Sequence, residues 1–380
     1  MPEETVIAQI YRELGEEGLA KARWQEKMRV LGSLAQLLWA ALFALLLVPT
    51  GWAAALRDAL GGQSAFGALL VVLAIMVLQG LFNLPLAWYF GYRVEQVLGT
   101  NRQSPAGWLL DYLKQNLISG ALFGLFFWGV YMVFRTWPGG WLPALVAVVF
   151  LLAVGIYLAQ PLMLRAQFKA EPLDDEELNA RLARLFEKAG FAYGGVRVLR
   201  AGEKTARGNA ALVPNGGRWE VVIYDTLLDE IGPEGLEFVV GHELGHRAHH
   251  DWPLILTIYG LLFVVGIALA HAVLVWTAGR WGLAGPGDPA TLPVLNLVLS
   301  AWLLLGQVAG NAFMRSREYA ADRYALELTG SLSGFERAFL ILARQNLSDP
   351  EPPAWVEFWL HDHPSIAKRF KAMQEAARSL

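Results

Sequence analysis

The chain has no cysteine. That excludes disulfide frameworks, thiolate metal sites, iron–sulfur clusters and cysteine nucleophiles, and leaves His, Asp and Glu to hold any metal. Charge is also scarce. Asp, Glu, Lys and Arg make up 17% of the 380 residues, against about 25% in an ordinary soluble protein. The formal net charge of −3 offers no electrostatic footprint for nucleic acid, which is set aside as a partner. Apolar residues are abundant instead: 55% of the chain is hydrophobic, with 15 Trp, 19 Phe and 11 Tyr. Such a composition excludes disorder. At roughly 100–200 residues per domain, the length fits two or three domains.

The missing charges are missing in blocks. Val30–Leu56, Ala59–Tyr92, Gln115–Phe134, Thr136–Leu164, Trp252–Gly279 and Pro289–Met314 contain no Asp, Glu, Lys or Arg. A helix needs about 20 mainly apolar residues to cross a bilayer, and soluble helices rarely stay charge-free on every face for that long. Six transmembrane helices are expected. The first run is not expected to be a cleaved signal, because a charged segment precedes it and no small-residue cleavage site closes a short apolar core. Arg12, Lys21, Arg23, Lys27 and Arg29 precede the first span, and Arg93, Arg102 and Lys114 lie between the second and third. The alternate loops hold one each: Arg57, Arg135 and Arg280. The positive-inside rule therefore places both termini, the long segment 165–251 and the tail from 315 in the cytoplasm. The lone span histidine, His271, is read as interfacial or packed, without a role.

Residues 165–251 read as a compact α/β unit. A helix is expected over Leu173–Ala189, with Asp174, Asp175, Glu176 and Glu177 in its first turn and Gly190 after its end. Val196–Leu199 reads as a short strand. Asn209–Val213 and Arg218–Tyr224 flank Pro214-Asn215-Gly216-Gly217, a hairpin signal. Asn209–Val213 is expected to be an edge strand. Asn209, Ala210 and Ala211 leave room for an incoming chain, and no Lys, Pro or bulge protects the edge. Pairing with Val196–Leu199 is the alternative. Gly232-Pro233 opens another helix, the tail 315–347 is helical, Asp349–Pro353 is a break, and a last helix begins near Pro364.

The helix Glu234–His250 contains His242-Glu243-Leu244-Gly245-His246. Two His at i and i+4 lie one turn apart on one face, a spacing that lets both imidazoles reach one zinc. Glu243 projects beside the first of them, where it can take a proton from an attacking water. His246 and His250 form a rival i, i+4 pair, but Arg247 stands where the base would be. His249 and His250 otherwise read as an exposed helix end. A catalytic site needs a third protein ligand. Glu318 and Asp322 are i, i+4 after the sixth span. Glu318 can ligate, and Asp322 can accept the free ring N–H of a ligand histidine. An exposed amphipathic helix with internal Arg–Glu pairs fits the same spacing.

The pentad His242–His246, the stretch Asn311–Asp322 and His363-Pro364 resemble the integral-membrane zinc metalloproteases of the type I CAAX prenyl protease group. That group shares its catalytic domain with bacterial heat-shock membrane metalloproteases. Asn209-Ala210 and Val221–Leu228, expected as a strand, resemble the segments before the metal helix. Over 165–375 the motifs occur in the family's order; over 1–164 the likeness is one of hydropathy alone. The resemblance implies His242, His246 and Glu318 as zinc ligands, Glu243 as the base and Asp322 as the carboxylate behind a ligand histidine. It further implies His363 as a transition-state hydrogen-bond donor, Asn209 as a substrate-edge contact, and oxyanion-side or structural roles for Arg315 and Arg369. Read alone, His363 is a loop histidine before a helix-starting Pro, and Asn209 a turn residue.

The expected fold is a multi-span α-helical membrane protein with a cytoplasmic α+β, zincin-like (gluzincin) metalloprotease domain. Residues 1–164 hold an N-terminal amphipathic segment and four spans, and 165–251 the α/β part with the metal helix. Spans five and six occupy 252–314, and 315–380 completes the zinc site. The expected function is zinc-dependent hydrolysis of peptide bonds in membrane-associated or extended polypeptides, with one zinc per chain and the bilayer and a peptide or protein substrate as partners. A protein quality-control role fits a bacterial source. Two other classes fit less well: a transporter with a structural zinc domain, which would need charges inside the spans, and a non-proteolytic chaperone or scaffold, which has no use for Glu243.

Overall fold

A computed structural model describes residues 5–379. The chain begins with α1 (Val6–Leu47), the short α2 (Trp52–Ala59) and α3 (Ala65–Ala87). A π-helical turn, Trp88–Arg93, continues α3 into α4 (Val94–Leu98). It follows Pro85, whose missing N–H loosens the hydrogen-bond ladder. Next come α5 (Pro105–Thr136) and α6 (Trp141–Gln167). The α+β part comprises β1 (Ala170–Pro172), α7 (Glu176–Ala189), β2 (Tyr193–Leu199), β3 (Ala210–Asn215), β4 (Arg218–Tyr224) and α8 (Asp225–Ala248). Then follow α9 (Asp251–Thr277), α10 (Leu292–Thr329), α11 (Leu332–Asn346), α12 (Ala354–Leu360) and α13 (Ile366–Ala377).

Among the described residues six helices are long and apolar enough to cross a bilayer, one for each charge-free run. Their ends differ from the runs where glycine intervenes. The first run continues to Leu56, but the helix stops at Leu47 and Gly51 (φ 79°) turns the chain into α2. The packed side of the bundle buries Val71, Val72, Ile75, Val130, Tyr131 and Leu145. Leu38, Leu117, Phe150 and Leu158 point outward, as lipid-facing positions require.

The sheet has the order β1-β2-β4-β3. β2 runs parallel to β4, and β3 antiparallel to it with Ala210 opposite Ile223 and Ala211 opposite Val222. The turn between β3 and β4 is Gly216-Gly217, both with positive φ (57° and 82°), which suits the right-handed twist of a tight hairpin. β3 lies at the sheet's edge, and the alternative pairing with Val196–Leu199 does not occur: that segment pairs with β4. Expected and observed elements disagree at several places: α7 begins at Glu176, capped by Asp175, not at Leu173, and Pro214 and Asn215 belong to β3, not to the turn. The strand expected to reach Leu228 ends at Tyr224, where α8 begins. α8 starts well before Gly232-Pro233, which is a break within it (Gly232 φ 72°, ψ 167°). The helix expected over 315–347 is interrupted at Gly330 (φ 69°), and α12 follows a segment expected only as a break.

One core holds the α+β part together. Leu182 and Phe186 of α7, Val221 and Ile223 of β4, Leu236 and Leu244 of α8 and Phe335 of α11 pack in it. Val6, Ile10 and Leu14 join the same core. The first turns of α1 thus belong to the packing around α8, and a bend at Gly15 (φ 59°) separates them from the apolar span.

Candidate active site

α8 and α10 meet along a seam of small residues. Gly241 and Gly245 on α8 face Ala325 and Ala321 on α10. A Cβ on Gly245 would lie 2.9 Å from the Ala321 Cα, so glycine sets how closely the two backbones approach. His242 and His246 sit one residue after Gly241 and Gly245, and Glu318 lies one turn from Ala321. The seam therefore carries the three side chains to one point.

There, His242 Nε2 and His246 Nε2 are 3.1 Å apart. His242 Nε2 is 3.4 Å from Glu318 Oε2 and His246 Nε2 is 3.2 Å from Glu318 Oε1. Each imidazole has its other nitrogen on a carboxylate: His242 Nδ1 on Asp322 Oδ1 at 3.0 Å, His246 Nδ1 on Asp251 Oδ2 at 2.8 Å. Those contacts favour the tautomer with its proton on Nδ1, in which each neutral ring offers its Nε2 lone pair to the cluster. Glu318 Oε2 is buried without a hydrogen bond, although Arg369 Nη1 lies within ion-pair distance at 3.1 Å. Two ring nitrogens and a carboxylate converging this closely are what a cation satisfies. Two imidazoles and a carboxylate fit zinc and its first-row neighbours. The local field agrees: burial opposes charge on His246, yet Glu318, Glu243 and Asp251 outweigh it and push its pKa up to about 9. His242, His246 and Glu318 are the metal-capable cluster found among the described residues.

The carboxylates behind the two histidines are themselves held. Arg369 grips Asp322 through two hydrogen bonds of 2.7 and 2.6 Å, and Arg317 Nε donates to Asp251 at 2.5 Å. Arg369 acts on Asp322 and Glu318 and stacks over Phe339. Arg315 is turned elsewhere: it donates to the carbonyls of Glu357 and His361 at 3.1 and 2.6 Å and so fixes the loop that follows α12. His363, on that loop, places Nε2 3.3 Å from Glu318 Oε1 while its Nδ1 bonds Asp362 at 2.7 Å. Burial lowers the pKa of His363, but Asp362 and Glu318 raise it on balance. Glu243 has its carboxyl raised by burial, against the opposing pull of His242 and His246.

A cavity of about 640 Å³ opens in front of these groups, lined by His242, Glu243, His363, Asn209, Ala210 and Arg369 among others. β3 forms one wall. Tyr224 N donates to Asn209 O at 2.9 Å, so Asn209, Ala211 and Val213 turn their main-chain groups toward β4. Ala210 and Leu212 turn theirs to the open edge. Pro214, next in that phase, has no N–H to offer and closes the edge at its far end. Ala211 thus serves the sheet, while Ala210 and Leu212 face the open edge.

The rival pair is not assembled. His250 adopts a left-handed conformation (φ 57°) that ends α8 and stands exposed. His249 packs edge-on to Tyr324, and His271 stacks on Trp141. Sequence reasoning missed Asp251, Arg317 and Asp362. Asp251 lies five residues beyond His246, past the helix end, where helical spacing no longer predicts contact.

Residues 172–377 match the family described as peptidase family M48. The chain belongs to that family. Residues 3–168 match a region described as CAAX prenyl protease N-terminal, five membrane helices; among the described residues of that stretch, four helices are long and apolar enough to span. A Bacillus subtilis protein named uncharacterized metalloprotease YhfN is 29% identical over 310 residues, 79% of this chain and 71% of its own length. CAAX prenyl protease 1 of Saccharomyces cerevisiae is 22% identical over 316 residues, 78% of this chain and 69% of its own. The crystal structure of S. mikatae Ste24p has the same fold, with a TM-score of 0.80 over 98% of this chain and 91% of that one at 20% identity. This M48 protein is thus a metalloprotease and an integral, multi-pass membrane protein.

Proposed function

We propose that the protein is a zinc-dependent endopeptidase that cleaves extended segments of membrane-associated polypeptides at the cytoplasmic face. The observation that carries this reading is the convergence of His242, His246 and Glu318 beside Glu243, in a cavity walled by an open strand edge. Substrate backbone would pair with Ala210 and Leu212, extending the sheet by one strand. Pairing of that kind reads main chain and tolerates varied side chains. Asn209, at the mouth of the edge, would contact the incoming segment.

Zinc bound by His242, His246 and Glu318 would polarise the scissile carbonyl and lower the pKa of the attacking water to near 7. Glu243 takes that water's proton and passes it to the leaving amine; its raised pKa suits both halves of the transfer. His363, with Nδ1 held by Asp362 and its pKa raised by Asp362 and Glu318 against burial, is placed to donate from Nε2 to the developing oxyanion. Loss of one such donor costs about 2.7–4 kcal/mol of transition-state stabilisation. Arg315 and Arg369 position groups and do not touch substrate in this account.

The cytoplasmic orientation follows from the Lys and Arg asymmetry of the flanking segments. A relative named a CAAX prenyl protease makes prenylated C-terminal peptides one substrate class to try, and misassembled membrane proteins the other. Incubation with a peptide library, read by mass spectrometry, tests the reading. The parent should give products that the Glu243→Gln variant does not. Equal product from both would remove Glu243 as base, and no product from the parent across soluble, prenylated and membrane-inserted substrates would favour a scaffold.

A further inference from the structure

Helix α12 carries a face that no described part of the chain covers. Its sequence, Ala-Trp-Val-Glu-Phe-Trp-Leu, puts Trp355, Phe358 and Trp359 at i, i+3 and i+4, on one side of one turn. They are 57%, 50% and 39% exposed, while Val356 and Glu357 on the other side are buried. A helix folded against water places its aromatic residues the other way round.

The place of α12 in the fold says what covers that face. The helix packs on both α1 and α10. On α10, the side chains of Gln307 and Asn311 donate to the Trp359 carbonyl at 3.2 and 3.0 Å, and Arg315 donates to those of Glu357 and His361. This is the level at which the charge-free run ending at Met314 gives way to Arg315. On α1, Trp355 and Val356 share a cavity of about 440 Å³ with Lys27, Val30 and Leu31, the level at which the first charge-free run begins. Two spans thus leave the apolar layer beside α12. Exposed Leu31 and Leu34 mark the start of the lipid-facing surface on α1. Tryptophan is the side chain of the membrane–water boundary, with an apolar body and one N–H for water or headgroups.

We infer that α12 is an interfacial helix whose Trp355–Phe358–Trp359 face lies in the headgroup–acyl boundary of the bilayer, and that this seating fixes the depth of the His361–His363 loop over the metal cluster. The loop has little slack. α12 ends at Leu360, His361 Nε2 is held by Glu26 of α1 at 2.9 Å, and His363 reaches Glu318 two residues later. The membrane contact stands on geometry alone; its effect on cleavage rests on the role proposed for His363.

The absence of native cysteine allows a direct test. Phe358→Cys is labelled with the fluorophore NBD in the full-length protein, reconstituted in vesicles of phosphatidylcholine and phosphatidylglycerol. A nitroxide at carbon 5 of the acyl chain should quench it roughly twofold more than one at carbon 12 or aqueous iodide, as a shallow interfacial position requires. Quenching by iodide alone, as expected of a Gly216→Cys control, would place the face in water and overturn the inference. Quenching by neither agent would mean that a protein partner or a second copy covers it, and would overturn it too. In the same vesicles the double variant Trp355→Glu, Phe358→Glu should keep its zinc and lose roughly tenfold in cleavage, a shift of about 1.4 kcal/mol. Parental cleavage by that variant would contradict the depth-setting part, whatever the fluorophore reports. If the parent itself cleaves nothing, the proposed activity fails and the quenching result still decides the membrane contact.

Discussion

Two clusters of buried charge stand at opposite ends of α9, and they differ in completeness. At one end, Asp288 accepts from Arg57 Nη1 at 2.5 Å, Ala284 N at 2.8 Å and Ala290 N at 2.9 Å. Nearby, Arg135 donates to the carbonyls of Gly62 and Gly287, both at 2.6 Å. Every hydrogen-bonding group of Asp288 is used, so the cluster ties the loops together and has no room for a ligand. At the other end, around His242, His246 and Glu318, lone pairs face one another and Glu318 Oε2 has no hydrogen bond. Buried polar groups are nearly always satisfied. An unsatisfied set, built with as much care in its supporting Asp322, Asp251, Arg369 and Arg317, marks a site that a ligand completes.

The comparison breaks if chemistry does not follow that line. Glu243→Gln should have the largest effect on turnover, a fall of roughly 10²–10⁴-fold as for loss of a general base, with metal content unchanged by elemental analysis. Asp322→Asn comes next. It removes the Asp322 charge from Arg369 and leaves the His242 tautomer unfixed, and should weaken metal affinity roughly 10–100-fold in a chelator competition. Asp251→Asn should do the same to His246.

Ala210→Pro removes one outward-facing donor and should lower kcat/KM by roughly 3–10-fold, the value of one hydrogen bond, chiefly through KM. Ala211→Pro instead breaks the ladder to β4 and should lower the unfolding temperature. Asp288→Asn should barely alter turnover of folded protein. It breaks a buried pair, and the expected loss of about 3–5 kcal/mol in stability should appear as a lowered thermal midpoint in detergent.

What could be read from the sequence was what lies within one element. Charge-free runs gave six spans, and i, i+4 spacing gave His242 with His246 and Glu318 with Asp322, because helical geometry fixes those neighbours without tertiary knowledge. The hairpin was legible from Gly216-Gly217, and an edge strand from its small residues. What stayed hidden depends on elements meeting. The glycine–alanine seam between α8 and α10 needs both helices docked before its spacing means anything. Asp251, Arg317 and Asp362 reach the site across a helix end, from a neighbouring helix and from a loop. The break at Gly330 and the helix α12 were obscured by a continuous helical pattern and a Pro-rich stretch. The burial of Val6, Ile10 and Leu14 in the core that α11 shares with α8 joins residues too far apart in sequence for any local pattern to connect.

Incompleteness, and not burial of charge, marks the site. Zinc stoichiometry of the purified full-length protein tests it most directly, measured side by side for the parent, Glu318→Ala and Asp288→Asn. One zinc per chain is expected in the parent and in Asp288→Asn, and none in Glu318→Ala. Full zinc in Glu318→Ala, or its loss in folded Asp288→Asn, would contradict it.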